Sequence, residues 1–138
     1  SGNENVQARQ AEKEISVSIP AATTGILSVG ALQAGDDGFE IADFSNTLPQ
    51  IAAPGVNVVS AQSGGGLVSL DGTSMATPHV AGIAALFWQQ LRSAGRNTDS
   101  QLVLSRILTG ATFSGLSPDT DEADVGVGLA RAPGLSFV

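Results

Sequence analysis

The chain has 138 residues, 42% of them hydrophobic, which is long enough for one domain with its own buried core. Its 13 acidic and 6 basic residues give a net charge of −7, which argues against nucleic acid and anionic membrane surfaces as partners. Because it has no cysteine, thiol catalysis, disulfide bonds and cysteine-ligated zinc are excluded.

The first part of the chain is mostly polar. Charges of both signs are mixed at Glu12, Lys13 and Glu14, which predicts a solvated loop or short helix over residues 4–19. No secretory signal is recognisable, and no apolar run reaches the roughly 18 residues that a membrane helix needs. Because the chain begins Ser1-Gly2-Asn3 without a methionine, we expect a fragment or a processed piece of a longer protein.

Short elements are predicted between this polar stretch and residue 70. Residues 25–31 form an apolar run bounded by glycines, which is typical of a buried parallel strand. Glycine and aspartate predict a turn over residues 33–40, and residues 56–61 predict a further strand. Residues 63–66 form a flexible glycine turn, which lacks the Lys-Ser/Thr of a phosphate-binding loop.

The next element is an unusually apolar helix. From Met75 to Trp88 the only clearly polar side chains are Thr77 and His79. A helix that is apolar all round is usually buried on all sides. Pro78 is expected at or just past the first turn, where its missing N–H costs least.

A serine stands at the start of this helix. Gly72 permits a tight turn, and we expect Thr73 to cap the free N–H groups of the first turn. The Ser74 hydroxyl would then lie beside orphan N–H groups and the positive end of the helix dipole. An acyl-transfer oxyanion requires such surroundings, so Ser74 is a candidate nucleophile, with an ordinary N-cap serine as the alternative.

No general base for this serine is evident in the chain. His79, the single histidine, follows Ser74 by five residues, which places it about 7.5 Å along the helix and about 140° around its axis. A base must lie within hydrogen-bond reach of the hydroxyl, so this position excludes His79 as the base of Ser74. Lys13 could form a Ser-Lys dyad, but its polar, mixed-charge stretch favours an exposed ammonium group.

A second helix and an acidic segment complete the pattern. Residues 98–101 read as a capping box, an apolar stripe runs through residues 102–108, and Gly110 is a plausible stop. Four carboxylates then follow closely, at Asp119, Asp121, Glu122 and Asp124. They could hold a structural Ca²⁺, but they do not fit the EF-hand spacing, and a solvated loop is the alternative.

Residues 72–82 read Gly-Thr-Ser-Met-Ala-Thr-Pro-His-Val-Ala-Gly. This run resembles, residue for residue, the serine motif of the subtilisin-like serine proteases (subtilases), in which the serine after Gly-Thr is the nucleophile. Further segments resemble subtilase landmarks in the family's order: Val29-Gly30-Ala31, Phe44-Ser45-Asn46, Ala53-Pro54-Gly55 and Gly126-Val127-Gly128-Leu129. By the same resemblance, Ala53-Pro54-Gly55 marks the end of a strand. The resemblance also implies that His79 is structural, so we expect it to be a satisfied core residue.

Near the start, Gly2-Asn3 resembles a subtilase Gly-Asn pair whose asparagine side chain donates to the oxyanion; the alternative is a plain turn asparagine. Two departures from the family pattern stand out. Ile19 occupies the neighbourhood of an aromatic residue that belongs to the substrate cleft wall. Leu48 and Gln50 stand where some subtilases bind a weak cation through acidic residues.

The resemblance covers residues 2–129 but only the second half of a subtilase catalytic domain. It implies that residues 1–138 are the C-terminal portion of a subtilase peptidase domain, a partial three-layer α/β domain with a mostly parallel sheet flanked by helices. Without the remaining strands, one edge of the sheet and one side of the central helix would be exposed.

The implied activity is serine endopeptidase cleavage of protein or peptide substrates through a Ser/His/Asp triad. This chain would supply Ser74 and the oxyanion donor Asn3, while the histidine and aspartate would come from an N-terminal half. Alone it should be nearly inactive; no cofactor is expected, and the family implies a secreted or extracytoplasmic location. The alternative is a non-catalytic subtilase remnant that serves as an interaction or structural module.

Overall fold

The computed structural model describes residues 25–46 and 48–134, within which the chain forms five strands and three helices. The strands are β1 (Val29–Ala34), β2 (Phe39–Ile41), β3 (Ile51–Pro54), β4 (Val58–Ala61) and β5 (Leu67–Leu70). The helices are α1 (Thr73–Ser93), α2 (Ser100–Gly110) and α3 (Glu122–Val125). The predictions for residues 4–19, for Ile19, for Lys13 and for Gly2-Asn3 lie outside the described residues.

The main sheet has the strand order β2-β1-β3. β1 pairs with β3 in parallel, with Val29 opposite Ile51, so the predicted parallel strand is confirmed. It begins at Val29 rather than at residue 25 and runs on to Ala34. The turn predicted over residues 33–40 is correspondingly shorter, because the end of β1 pairs with β2 in the antiparallel sense.

Successive side chains of a strand point to opposite faces of the sheet. Both faces are buried, because each packs against another layer of the structure. The face that packs against α1 and α2 is formed by Val29, Ala31, Ile51 and Ala53. The opposite face, formed by Leu32 and Ala52, packs against Leu116 and Val125 of the segment that carries α3. The expected three-layer arrangement of helices, sheet and a second covering segment is therefore present.

The predicted glycine turn after α3 extends the sheet on the β3 side. Gly126 has a φ of 62°, and a side chain there would collide with the backbone oxygens of Pro49 and Gln50. The Ala52 N–H donates to the Gly128 carbonyl (2.9 Å), and the Ala130 N–H donates to the Ala52 carbonyl (2.9 Å). Residues 128–130 therefore run parallel to β3 as a short additional strand-like segment.

Helix α1 is confirmed, but its burial is one-sided. Its inward face contributes Ala76, Val80, Phe87 and Leu91 to the core. On the outer side Leu86 is 48% exposed and Trp88 38% exposed. Among the described residues α1 is therefore not buried on all sides. The prediction that one side of this helix would be exposed is confirmed. No described helix is long and apolar enough to cross a membrane.

The second predicted helix is confirmed as α2, but its N-cap residue differs from the predicted one. The N-cap is Asp99, whose carboxylate accepts a hydrogen bond from the Leu102 N–H (2.8 Å). The Thr98 hydroxyl, predicted as the cap, donates instead to the Arg96 carbonyl (3.0 Å). Gly110 is the last helical residue, as predicted.

The acidic segment forms the start of α3. Asp121 is its N-cap, and its carboxylate accepts from the Ala123 N–H at 2.9 Å. An acidic side chain at a helix N-terminus also interacts favourably with the helix dipole. Within residues 25–46 and 48–134, no three His, Asp or Glu side chains are grouped so that they could hold a metal ion.

Candidate active site

The start of α1 is joined to the carboxyl ends of the two parallel strands. The Gly55 N–H, just past β3, donates to the Leu32 carbonyl of β1 (2.9 Å). The Gly55 carbonyl in turn accepts from the Gly72 N–H (2.7 Å). Because the carboxyl ends of parallel strands line the ligand-binding edge in open α/β sheets, these bonds place the helix start at that edge.

Packing at Gly55 leaves no room for a side chain between the sheet and the helix. A Cβ there would lie 2.7 Å from the Ala31 Cβ, 2.8 Å from the Gly72 carbonyl oxygen and 3.2 Å from the Ala76 Cβ. We expect Gly55→Ala to lower the free energy of unfolding by about 1–3 kcal/mol, because overpacking pushes the helix start away from the sheet.

Urea unfolding followed by circular dichroism measures this change. Gly82→Ala is the matched control, because a Cβ at Gly82 meets nothing within 4 Å. At an interior helix position that substitution should raise the free energy of unfolding by up to about 1 kcal/mol. Equal stabilities of the two variants would contradict the close approach at Gly55.

The N-cap of α1 is Gly72, which corrects the prediction for Thr73. Gly72 has φ 153° and ψ 159°, a region open essentially to glycine alone, and no side chain caps the helix there. Thr73 is already the first helical residue and is fully buried. Its helical backbone and inward side chain explain why it does not act as the cap.

Ser74 is the second residue of α1 and is exposed. Its N–H belongs to the first turn, where the helix itself provides no acceptor. Ser74 is therefore an exposed residue at the positive end of the helix dipole. Its position at the start of the helix is as expected, and its role as a nucleophile stays a prediction.

His79 is satisfied but is not a core residue. Its Nδ1 donates a hydrogen bond to the Met75 carbonyl (3.0 Å), since a carbonyl oxygen can only accept. Its side chain is exposed among the described residues, which corrects the expected burial. The reason is that His79 lies on the same exposed edge of α1 as Leu86, seven residues further along the helix.

A β-hairpin that was not predicted from the sequence immediately precedes the helix that carries Ser74. The strand predicted over residues 56–61 is β4, and it pairs with β5 in an antiparallel ladder separate from the main sheet. At its base, the Asp71 carboxylate accepts from the Asn57 N–H (2.7 Å). Two apolar runs separated by a glycine-rich turn were the available signal for a hairpin.

An apolar groove runs along α1 on the edge that carries Trp88. It has a volume of about 380 Å³ and lies between α1, α2 and the chain that enters β1. Its lining includes Leu27, Val80, Ala84, Trp88, Val103 and Leu104. Ser74 is not among the residues that line it. Asn3, the predicted oxyanion donor, lies outside the described residues.

Comparison with known proteins agrees with this architecture. The sequence model of the subtilase family matches residues 1–128. The thermostable alkaline protease of Halalkalibacterium halodurans is 45% identical over 101 residues, which is 72% of this chain and 26% of that protein. This chain thus spans about a quarter of the length of that relative.

Solved structures show the same fold. The S41 psychrophilic protease has a TM-score of 0.77 at 28% identity, over 96% of this chain and 46% of that one. The prenylagaramide maturation protease PagA has a TM-score of 0.68 at 33% identity, over 82% of this chain and 42% of that one. The fold is therefore a partial subtilisin-like α/β domain, and the chain belongs to the subtilase family of serine proteases.

Proposed function

We propose that this chain is the nucleophile-bearing, C-terminal part of the catalytic domain of a serine endopeptidase. The observation that carries the proposal is the position of Ser74, exposed as the second residue of a helix whose start is bonded to the carboxyl ends of β1 and β3. In a subtilase, an exposed serine with an unsatisfied helix N–H beside it is suited to attack a peptide carbonyl.

The remaining roles are divided between this chain and an N-terminal half. The Asn3 side chain and the Ser74 N–H would hold the tetrahedral oxyanion. The chain has a single histidine, and His79 is engaged with the Met75 carbonyl, so the general base and its orienting aspartate come from the other half. That imidazole would take the Ser74 proton and return it to the leaving amine.

The uncovered side of α1 is where this half is proposed to dock. Leu86 and Trp88, at the two edges of this side, are each more than a third exposed, and the apolar groove lies beside Trp88. Soluble proteins rarely leave large contiguous apolar patches in water. Covering this side would bury α1 all round, as its composition predicts, and would bring the partner's residues close to the helix that carries Ser74.

The wider expectations follow from this role. Substrates are proteins or peptides, no cofactor takes part in the chemistry, and the complete enzyme acts outside the cytoplasm. Alone, the chain lacks the base that activates a serine hydroxyl and is proposed to be nearly inactive.

Intact mass after treatment with a fluorophosphonate tests the proposal. The reagent is applied to the chain alone and to the chain mixed with the Asp- and His-bearing half of a subtilase catalytic domain. We expect a phosphonyl adduct on Ser74 only in the mixture. An adduct on the isolated chain would contradict the division of roles, and an adduct in neither sample would favour a non-catalytic module.

A further inference from the structure

A proline interrupts the hydrogen-bond ladder of α1 at the nucleophile. In an α-helix the carbonyl of each residue accepts from the N–H four positions later. The residue four positions after Ser74 is Pro78, which lies inside the helix and has no N–H. The proline ring also crowds the carbonyl four residues before it, so the Ser74 carbonyl has no N–H partner in the helix ladder.

Two side chains bond the carbonyls on either side of this gap. The Thr77 hydroxyl donates to the Thr73 carbonyl at 2.8 Å. The His79 Nδ1 donates to the Met75 carbonyl at 3.0 Å. Each of these carbonyls belongs to a residue adjacent to Ser74, so the helix is held by side chains immediately before and after the point that Pro78 opens.

We propose that Thr77 and His79 are positioning residues that fix the orientation of Ser74. The Thr77 bond holds the peptide unit that carries the Ser74 N–H, and the His79 bond holds the unit just beyond the Ser74 carbonyl. Together they restrain the backbone on both sides of that carbonyl, and therefore the direction of the Ser74 hydroxyl and N–H toward the substrate. This inference rests on the proposed function, because orientation matters only if Ser74 reacts. Small displacements of a reacting group cost much of the rate advantage that positioning provides.

Both side chains are exposed among the described residues, where water competes for their hydrogen bonds. If the N-terminal half docks on the uncovered side of α1, it excludes this water. Hydrogen bonds strengthen in such a less polar environment, so the Thr77 and His79 bonds should be strongest in the assembled enzyme.

Variants of the assembled enzyme test the positioning role with matched pairs. Thr77→Val removes the hydroxyl and keeps the shape, whereas Thr77→Ser keeps the hydroxyl. His79→Leu removes the donor, whereas His79→Asn keeps a donor near the Nδ1 position. We expect Thr77→Val and His79→Leu each to lower kcat for a peptide ester about three- to tenfold with KM within about twofold, and the conservative variants to recover most of it.

Restoring the missing N–H gives a sharper test. In Pro78→Ala the helix ladder can bond the Ser74 carbonyl directly, so the first turns no longer depend on the flanking side chains. We expect Thr77→Val to lower kcat clearly less in the Pro78→Ala background than in the wild-type background. Such non-additivity is the signature of residues that act on one local structure.

Hydrogen–deuterium exchange of the peptide that spans residues 73–82 provides a readout independent of activity. We expect faster exchange in Thr77→Val and His79→Leu than in Thr77→Ser and His79→Asn. Unchanged exchange, or an effect on KM alone in a reactive enzyme, would overturn the positioning role and leave the proposed function standing. An unreactive wild-type mixture would overturn the proposed function and the positioning role with it.

Discussion

Replacing Ser74 with alanine in the assembled enzyme should lower kcat by about six orders of magnitude and abolish the fluorophosphonate adduct. The magnitude is that measured for loss of the nucleophile in subtilisin, a member of this family. The physical reason is that alanine offers no oxygen to attack the peptide carbonyl, so the covalent route is lost and only binding and the oxyanion donors remain. Steady-state hydrolysis of a peptide substrate and intact mass provide the two measurements.

Ser93→Ala is the matched control, because Ser93 is exposed at the other end of the same helix. It should leave kcat and labelling unchanged. The Ser74 side chain is also exposed, so Ser74→Ala should have little effect on folding. If Ser74→Ala retained every activity of the assembly, the enzyme proposal would be lost in favour of the non-catalytic module.

The serine motif made the functional helix predictable, but not its first residue. A long apolar run without an interior glycine cluster is a strong helix signal, and α1 extends over the whole of it. Tertiary contacts determine that Gly72, and not Thr73, is the N-cap. The hydrogen bond from Gly72 to the Gly55 carbonyl, a residue distant in sequence, places Thr73 inside the helix with its side chain in the core.

Elements defined by partners elsewhere in the chain were the ones that sequence patterns missed. β2 has only three residues, too few for a periodic pattern, and it exists because it pairs with the end of β1. The same limit applies to His79. The family resemblance and the apolar composition of the helix suggested burial. Burial depends, however, on which surface covers that side of α1, and the sequence of the helix does not specify one.

Asn3 is the predicted residue whose role depends most on the family resemblance. Asn3→Ala in the assembled enzyme should lower kcat about 10²–10³-fold, the loss seen when subtilisin loses its asparagine donor. Because the amide bonds charge that develops only in the transition state, KM should change little. Initial-rate measurements over a range of peptide concentrations separate the two parameters.

Asn5→Ala provides the control for Asn3, since it removes the same side chain two residues further on. It should leave kcat unchanged if only Asn3 faces the oxyanion. Fluorophosphonate labelling of Ser74 should also be slower in Asn3→Ala, because the phosphonyl oxygen gains negative charge in the transition state as the serine displaces fluoride. An Asn3→Ala enzyme with unchanged kcat would show that Gly2-Asn3 is an ordinary turn, and Ser74 would then rely on other donors beside its own N–H. A change confined to KM would instead assign Asn3 to substrate binding.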